Sequence, residues 1–306
     1  MEARALVVDA TNKSFGEKHV VRNVSFQARA GEILGILGPN GAGKTTTIRM
    51  IMGITAPDSG SIMFEMAGTR THTVPKELVG YLPEERGLYR EARVMQILLF
   101  LASLKNVPRH AARERALRWL AKFGLTEYAN AKVEQLSKGM AQKVQFIASV
   151  LHEPKFIVLD EPFSGLDPVS QDMFKDEIRK LAASGAVVLL SSHQMNIVEE
   201  LCDRIFLIDQ GREVVSGRLA DIKERYGNYR VHVDAPLGVD SLISLPAVAG
   251  WEQIGEERWI LFLRDDARLE EFLHQIPLDA GLRELRVTRP SLHDIFIKIA
   301  TGREIA

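Results

Sequence analysis

One cysteine in 306 residues, Cys202, leaves no internal disulfide open to this chain, which fits a reducing compartment and makes the cytosol its expected location. Excess charge of one sign is equally scarce, since 39 basic and 40 acidic side chains leave a formal charge of -1. A chain that neutralises many phosphates of nucleic acid carries a basic excess or a basic patch, so no nucleic-acid partner is expected. No apolar run approaches the roughly 18 residues needed to span a bilayer. The start, Met1-Glu2-Ala3-Arg4, lacks the basic-then-apolar order of a signal peptide. Low-complexity segments and internal repeats are also missing. What is there is ordinary: 46% hydrophobic and 26% charged residues are close to soluble globular averages. The length suits about two domains, each able to bury a core.

Short apolar runs alternate with longer amphipathic segments, as strands and helices do in an α/β fold. The pattern predicts strands at Ala5–Ala10, Val24–Ala28, Glu32–Leu37, Ser61–Glu65, Phe156–Leu159, Ala186–Leu190 and Ile205–Asp209. Between Leu82 and Leu151 it turns helical. Val94–Lys105, Pro108–Phe123 and Lys138–Leu151 carry apolar residues at three- and four-residue spacing, so residues 83–151 read as a helical insertion. A polar helix ends near Tyr226, Gly227-Asn228 breaks the run, and the expected domains are 1–226 and 227–306. The second follows the order β-α-β-β-α-β, a small α+β domain of ferredoxin-like arrangement. It closes on a helix with Ser291 as N-cap, Asp294 at its third position and an apolar stripe of Leu292, Ile295, Phe296 and Ile299.

The chemistry is concentrated in two segments. Gly38-Pro39-Asn40-Gly41-Ala42-Gly43-Lys44-Thr45 matches the phosphate-loop (Walker A) pattern in full, after an apolar strand and before a helix that also holds Thr46. Its glycines let backbone N–H groups cradle a β-phosphate, Lys44 reaches the β- and γ-phosphates, and Thr45 is placed to ligate Mg²⁺. Downstream, Phe156-Ile157-Val158-Leu159-Asp160-Glu161 is an apolar strand ending in two carboxylates, as a Walker B strand does. Adjacent acids diverge along a strand, but at its end the chain leaves the sheet and each can serve separately, so two roles follow. Asp160 orients the hydrated Mg²⁺, and Glu161 holds and deprotonates the attacking water.

With these motifs in order, the chain resembles the ATP-binding-cassette (ABC) ATPases over roughly residues 3–225. Leu136-Ser137-Lys138-Gly139-Met140 resembles the family signature Leu-Ser-Gly-Gly-Gln, with Lys138 and Met140 as departures. Ser137 and the Gly139 backbone keep the hydroxyl and N–H that contact a γ-phosphate. Ser164-Gly165-Leu166-Asp167 resembles the D-loop that touches the partner subunit, and His193 the switch histidine. Phe15 takes the place of the adenine-stacking aromatic, although a single aromatic fits a core position equally. Glu84, in Gly80-Tyr81-Leu82-Pro83-Glu84, stands where the family has the glutamine of its Q-loop. It offers Mg²⁺ an oxygen but adds negative charge and donates no N–H.

The run Gly80–Tyr89 and the segment Ser291–Phe296 resemble ABC-2-type exporters of the sodium-efflux and drug-resistance subgroup. The resemblance implies a P-loop cassette built from a RecA-like core, an antiparallel β subdomain and a helical subdomain. It implies ATP and Mg²⁺ as cofactors, and a head-to-tail homodimer or paired cassette that closes on ATP and opens on hydrolysis. It further implies a separate ABC-2-type transmembrane permease subunit contacted around residues 81–104, at the cytoplasmic face of the membrane. The rival is a soluble ABC ATPase acting on ribosomes or DNA. Such relatives carry two cassettes or a long coiled coil, whereas this sequence has one cassette and no heptad run.

Overall fold

A computed structural model describes residues 4–66, 68–85, 87–226, 229–235, 239–264, 267–277 and 281–301. The chain divides into two compact units, Met1–Gly217 and Arg218–Ala306.

The first unit is built on a six-stranded sheet in the order Arg212–Arg218, Arg204–Asp209, Ile33–Leu37, Val187–Ser192, Phe156–Asp160, Val79–Leu82. Ile33–Leu37 runs parallel to both of its neighbours, and the next two pairings are parallel too. Every residue of Ile33–Leu37, Phe156–Asp160 and Val187–Ser192 is buried, which is why these strands read as continuous apolar runs rather than alternations. A second sheet, antiparallel, has the order Lys18–Arg29, Arg4–Phe15, Ser59–Met66, Thr69–Thr71. Its Leu6, Val8 and Phe64 share one buried cluster with Ile36, Val158 and Phe206 of the central sheet and Ile48 and Ile51 of helix Lys44–Ile51. The helix that follows the phosphate loop is therefore anchored between the two sheets.

Three helices, Val94–Ser103, Arg109–Lys122 and Lys138–Val150, occupy the expected helical block. Phe123 and Phe146 from this block pack on Phe174 of helix Pro168–Ala183, with ring centroids 5.3 and 4.5 Å away.

Three features differ from the sequence pattern. The first two strands are each 12 residues long, well beyond Ala5–Ala10 and Val24–Ala28. The ladder continues through polar residues past register shifts between Val8 and Thr11, since backbone pairing needs no apolar side chains. Val79–Leu82 is a further parallel strand, too short to show a period. Helix Pro168–Ala183 rises from Asp167 as N-cap with Pro168 in its first turn, a start signal that the neighbouring motif obscures.

In the second unit the strand order is Val248–Gln253, Arg258–Leu263, Arg230–Asp234, Glu284–Thr288, with all neighbours antiparallel. With helices Asp240–Ile243 and Leu269–Gln275 in the two crossovers, this is the ferredoxin-like arrangement. Leu242 and Phe272 bury against Val231, Val233, Leu261 and Leu263. The units divide ahead of the expected break at Gly227-Asn228, which lies outside the described residues. Helix Leu219–Tyr226 belongs with the second unit because it packs on helix Leu292–Thr301. Ser291 and Asp294 cap that last helix reciprocally: the Ser291 N–H donates to the Asp294 carboxylate (3.0 Å), and the Asp294 N–H to Ser291 Oγ (3.2 Å). Leu292 and Ile295 are buried and Phe296 half-buried, while the side chain of Ile299 lies outside the described residues.

Candidate active site

Parallel neighbours send the segments that follow them out of one edge of a sheet. Gly38–Thr45, Glu161–Asp167 and His193 all follow such strands, at Leu37, Asp160 and Ser192. In the phosphate loop, Gly38 has φ +153 and Gly43 φ +112, and a β-carbon would lie 2.1 Å from the Ile208 carbonyl oxygen at the first and 2.9 Å from that of Val20 at the second. Only glycine meets both demands. Gly43 caps helix Lys44–Ile51 without a side chain, so the first-turn N–H groups have no intrahelical partner and face an anion-favouring end. Lys44, 7% exposed, donates to the carbonyls of Gly38 (2.7 Å) and Pro39 (3.2 Å). Burial pulls its pKa down, opposed by the charges of Glu161, Asp160 and Glu84. The Ala42 N–H closes the loop onto the Pro39 carbonyl at 3.2 Å.

Asn40, Gly41, Gly43, Lys44, Thr45 and Thr46 line a cavity of ≈ 510 Å³, and Glu84 and Glu161 bring carboxylates to it. Phe15 forms a wall at 53% exposure, so it is no core residue. Lys18 and Val20, which the sequence did not single out, line it too. They open the strand that follows Phe15, and only the hairpin's register brings them there.

Beside the cavity, Asp160 is 1% exposed, and its Oδ1 accepts a hydrogen bond from Ser191 Oγ. Burial pushes the Asp160 carboxyl up, against the opposing effect of that hydroxyl. Asp160 Oδ2 is buried and has no hydrogen-bond partner among the described residues. Glu161, 7% exposed, has the left-handed φ of +50, uncommon for a residue with a β-carbon. His193 Nδ1 lies 2.9 Å from Glu161 Oε2. Ser191, absent from the sequence expectations, thus touches the Walker B acid directly; its one signal was its place two residues before His193.

The donor set fits Mg²⁺. An orphaned carboxylate oxygen at Asp160 and the hydroxyl-bearing Thr45 are hard oxygen donors. No group of three or more His, Cys, Asp or Glu that could hold a metal exists among the described residues, so protein groups alone form no cage. That is the usual situation for a cation shared with phosphate.

The structure does not bring Ser137, Gly139 and Asp167 to this cavity. Ser137 Oγ caps helix Lys138–Val150 by accepting the Met140 N–H at 3.2 Å. A β-carbon on Gly139 would lie 3.5 Å from the Gly165 carbonyl oxygen, so the signature abuts the D-loop of its own chain. Asp167 accepts from the Ser170 N–H (2.9 Å) and Oγ (2.6 Å), and the Ser170 hydroxyl holds its carboxyl below the usual range.

This loop, strand and histidine have counterparts in known proteins. Residues 21–164 match the ABC transporter family, and residues 217–300 match the C-terminal domain of DrrA1-3-like ATP-binding proteins. An uncharacterized ABC transporter ATP-binding protein of Bacillus subtilis (strain 168), YhaQ, is 39% identical over 96% of this chain and 97% of its own. Nod factor export ATP-binding protein I of Rhizobium sp. (strain N33) is 34% identical over 100% and 99%. A solved ATP-binding subunit of an ABC transporter is 32% identical, with a TM-score of 0.66 over 72% of this chain and 92% of that one. With a complete phosphate loop, a Walker B acid pair and full-length likeness to such subunits, the chain belongs to the ABC transporter ATP-binding proteins, ATPases coupled to transport.

Proposed function

We propose that the chain is the Mg²⁺-dependent ATPase of an ABC-2-type exporter, a head-to-tail dimer at the cytoplasmic membrane face that drives a separate transmembrane subunit. The observation that carries the reading is Glu161, held by His193 at the mouth of the Lys44 cavity. In this reading Lys44 and the loop's N–H groups bind the β- and γ-phosphates, and Phe15 stacks on adenine. Glu161 takes the proton of the attacking water as the new O–P bond forms and the bond to the β–γ bridging oxygen breaks. His193 orients Glu161 and touches the γ-phosphate. Thr45 and Asp160 would hold Mg²⁺, which would neutralise charge on the transferring phosphoryl group.

Charge supports the metal. Glu84, Asp160 and Glu161 set three carboxylates around Lys44, a poor welcome for a bare triphosphate. Glu84→Gln should keep ATPase activity and raise the Mg²⁺ concentration for half-maximal rate about fivefold, the worth of roughly 1 kcal/mol at an exposed charge. Identical Mg²⁺ titrations of the two proteins would leave Glu84 without a metal role.

The exporter reading draws support from the Nod factor export relative and from the DrrA-like second domain. No helix among the described residues is long and apolar enough to cross a membrane, and this reading assigns the membrane path to another subunit. Tyr89, Phe100 and Leu104 are 65%, 47% and 60% exposed, and the first two rings sit 6.4 Å apart. Apolar exposure of this kind marks a docking face. Co-purification of the chain with its membrane subunit tests the reading. Leu104→Glu should weaken that association about tenfold or more and leave the ATPase rate of the free subunit within about twofold. Undiminished association would move the docking face elsewhere.

A further inference from the structure

The sequence leaves one geometric problem open: adjacent side chains on a strand point to opposite faces, and the end of the strand at Asp160 frees Glu161 to serve separately without showing what turns it toward the cavity. The structure solves it from the neighbouring strand. Ser191 is the register partner of Asp160 in the parallel pairing and is wholly buried at 0% exposure. Its hydroxyl donates to Asp160 Oδ1, and Ser191 Oγ itself accepts the Glu161 N–H at 3.2 Å. The Ser191 carbonyl accepts that N–H as well, also at 3.2 Å.

These bonds have two consequences. With Oδ1 occupied by Ser191, the Asp160 carboxylate is fixed in rotation, and its other oxygen, Oδ2, is left buried with no hydrogen-bond partner among the described residues. The forked bond to the Glu161 N–H holds the peptide at the point where the chain enters the left-handed φ of +50. That backbone turn carries Glu161 off the strand's alternation and into the cavity. Two residues further along the same strand end, His193 Nδ1 meets the Glu161 carboxylate at 2.9 Å. One strand terminus therefore grips both acids, Asp160 and the Glu161 backbone through Ser191 and the Glu161 side chain through His193.

We propose that Ser191 is a positioning residue for the ATPase reaction. Its hydroxyl aims Asp160 Oδ2 at the metal and fixes the backbone turn that delivers Glu161 to the water. It touches neither phosphate nor metal. The proposal rests on the Mg²⁺ reading above. A packing role would predict only that the buried hydroxyl is replaceable by a group of similar size. A positioning role predicts that the donated hydrogen bond matters, because a carboxylate that loses the Ser191 hydroxyl is no longer fixed in rotation.

The test compares Ser191→Ala, Ser191→Cys and Ser191→Thr in the full chain. Three readouts are taken: thermal unfolding, affinity for a fluorescent ATP analogue in EDTA, and Mn²⁺ binding to the protein–ATP complex by electron paramagnetic resonance. We expect Ala and Cys to keep the EDTA affinity of the unaltered protein and to weaken Mn²⁺ binding about 10- to 100-fold. ATP turnover should fall by a similar factor, in kcat rather than in KM, and Thr, which keeps the donor, should restore both. Cys, somewhat larger than Ser and only a weak donor through its S–H, carries the comparison if Ala does not fold. Normal Mn²⁺ affinity in a folded Ala or Cys variant overturns the proposal. So does a Thr variant that is folded yet no better than Cys, or a metal defect that merely tracks loss of thermal stability. A metal-independent ATP affinity and turnover in the unaltered protein would instead remove the Mg²⁺ reading itself, a result seen before any variant is made.

Discussion

Glu161→Gln is expected to cut ATP turnover by a factor of about 10² to 10⁴, or about 3 to 5 kcal/mol of barrier, while leaving ATP binding nearly intact. Gln has the shape of Glu and its amide oxygen still accepts a hydrogen bond, so the contact at His193 Nδ1, 2.9 Å in the native chain, survives the exchange. The left-handed backbone at Glu161 and its N–H bonds to Ser191 involve no side-chain atom of residue 161, and they survive too. What is lost is the base, since an amide cannot take a proton from water at neutral pH. Binding without hydrolysis should hold the ATP-bound, closed dimer, visible as a nucleotide-dependent shift to dimer in size-exclusion chromatography. Single-turnover hydrolysis measures the chemical step directly. A near-native rate there would remove Glu161 from the role of base and leave water positioning to His193 alone.

The parts of this molecule that local chemistry dictates were legible from residues alone. The phosphate loop could be read because Gly38 and Gly43 answer steric demands that no other residue meets, and the Walker B strand because burial on both faces forces a run such as Phe156–Asp160. The ferredoxin-like second unit could be read because its four strands and helix Leu269–Gln275 are set off by their apolar runs in β-α-β-β-α-β order, although helix Asp240–Ile243 is only about one turn long. What stayed hidden depends on register. Lys18 and Val20 reach the cavity through a hairpin ladder, and Ser191 reaches Asp160 through parallel pairing with a residue 31 positions away. A serine at the end of an apolar strand carries no signal of its own. The division of the compact units after Gly217 depends on packing in the same way: Gly227-Asn228 is a strong local break in the sequence, but helix Leu219–Tyr226 packs on Leu292–Thr301, nearly seventy residues downstream.

The other large effect concerns which chain completes the site. Ser137 and Gly139 do not line the cavity of their own Lys44, although the resemblance assigns both to a γ-phosphate. Ser137 Oγ uses a lone pair on the Met140 N–H and keeps its own proton for donation. It stands at the start of helix Lys138–Val150, where the backbone N–H groups and the exposed Lys138 favour an anion. A head-to-tail pair would place this end over the nucleotide of the second subunit, and a two-fold axis would make two identical shared sites. Lys44→Ala and Ser137→Ala, each alone, should then damage both sites of a homodimer and lower turnover at least about 10²-fold, the cost of one lost donor to a developing charge. A mixed dimer is different: one site carries both changes and the other carries neither. Equal mixing makes half of the dimers mixed, so independent sites should recover about a quarter of native turnover per chain. Tagging the two chains differently and purifying through both tags isolates the mixed species, whose rate should approach half of native. Turnover in that species no higher than in either parent would show that Ser137 does not act across a shared interface with the partner's Lys44.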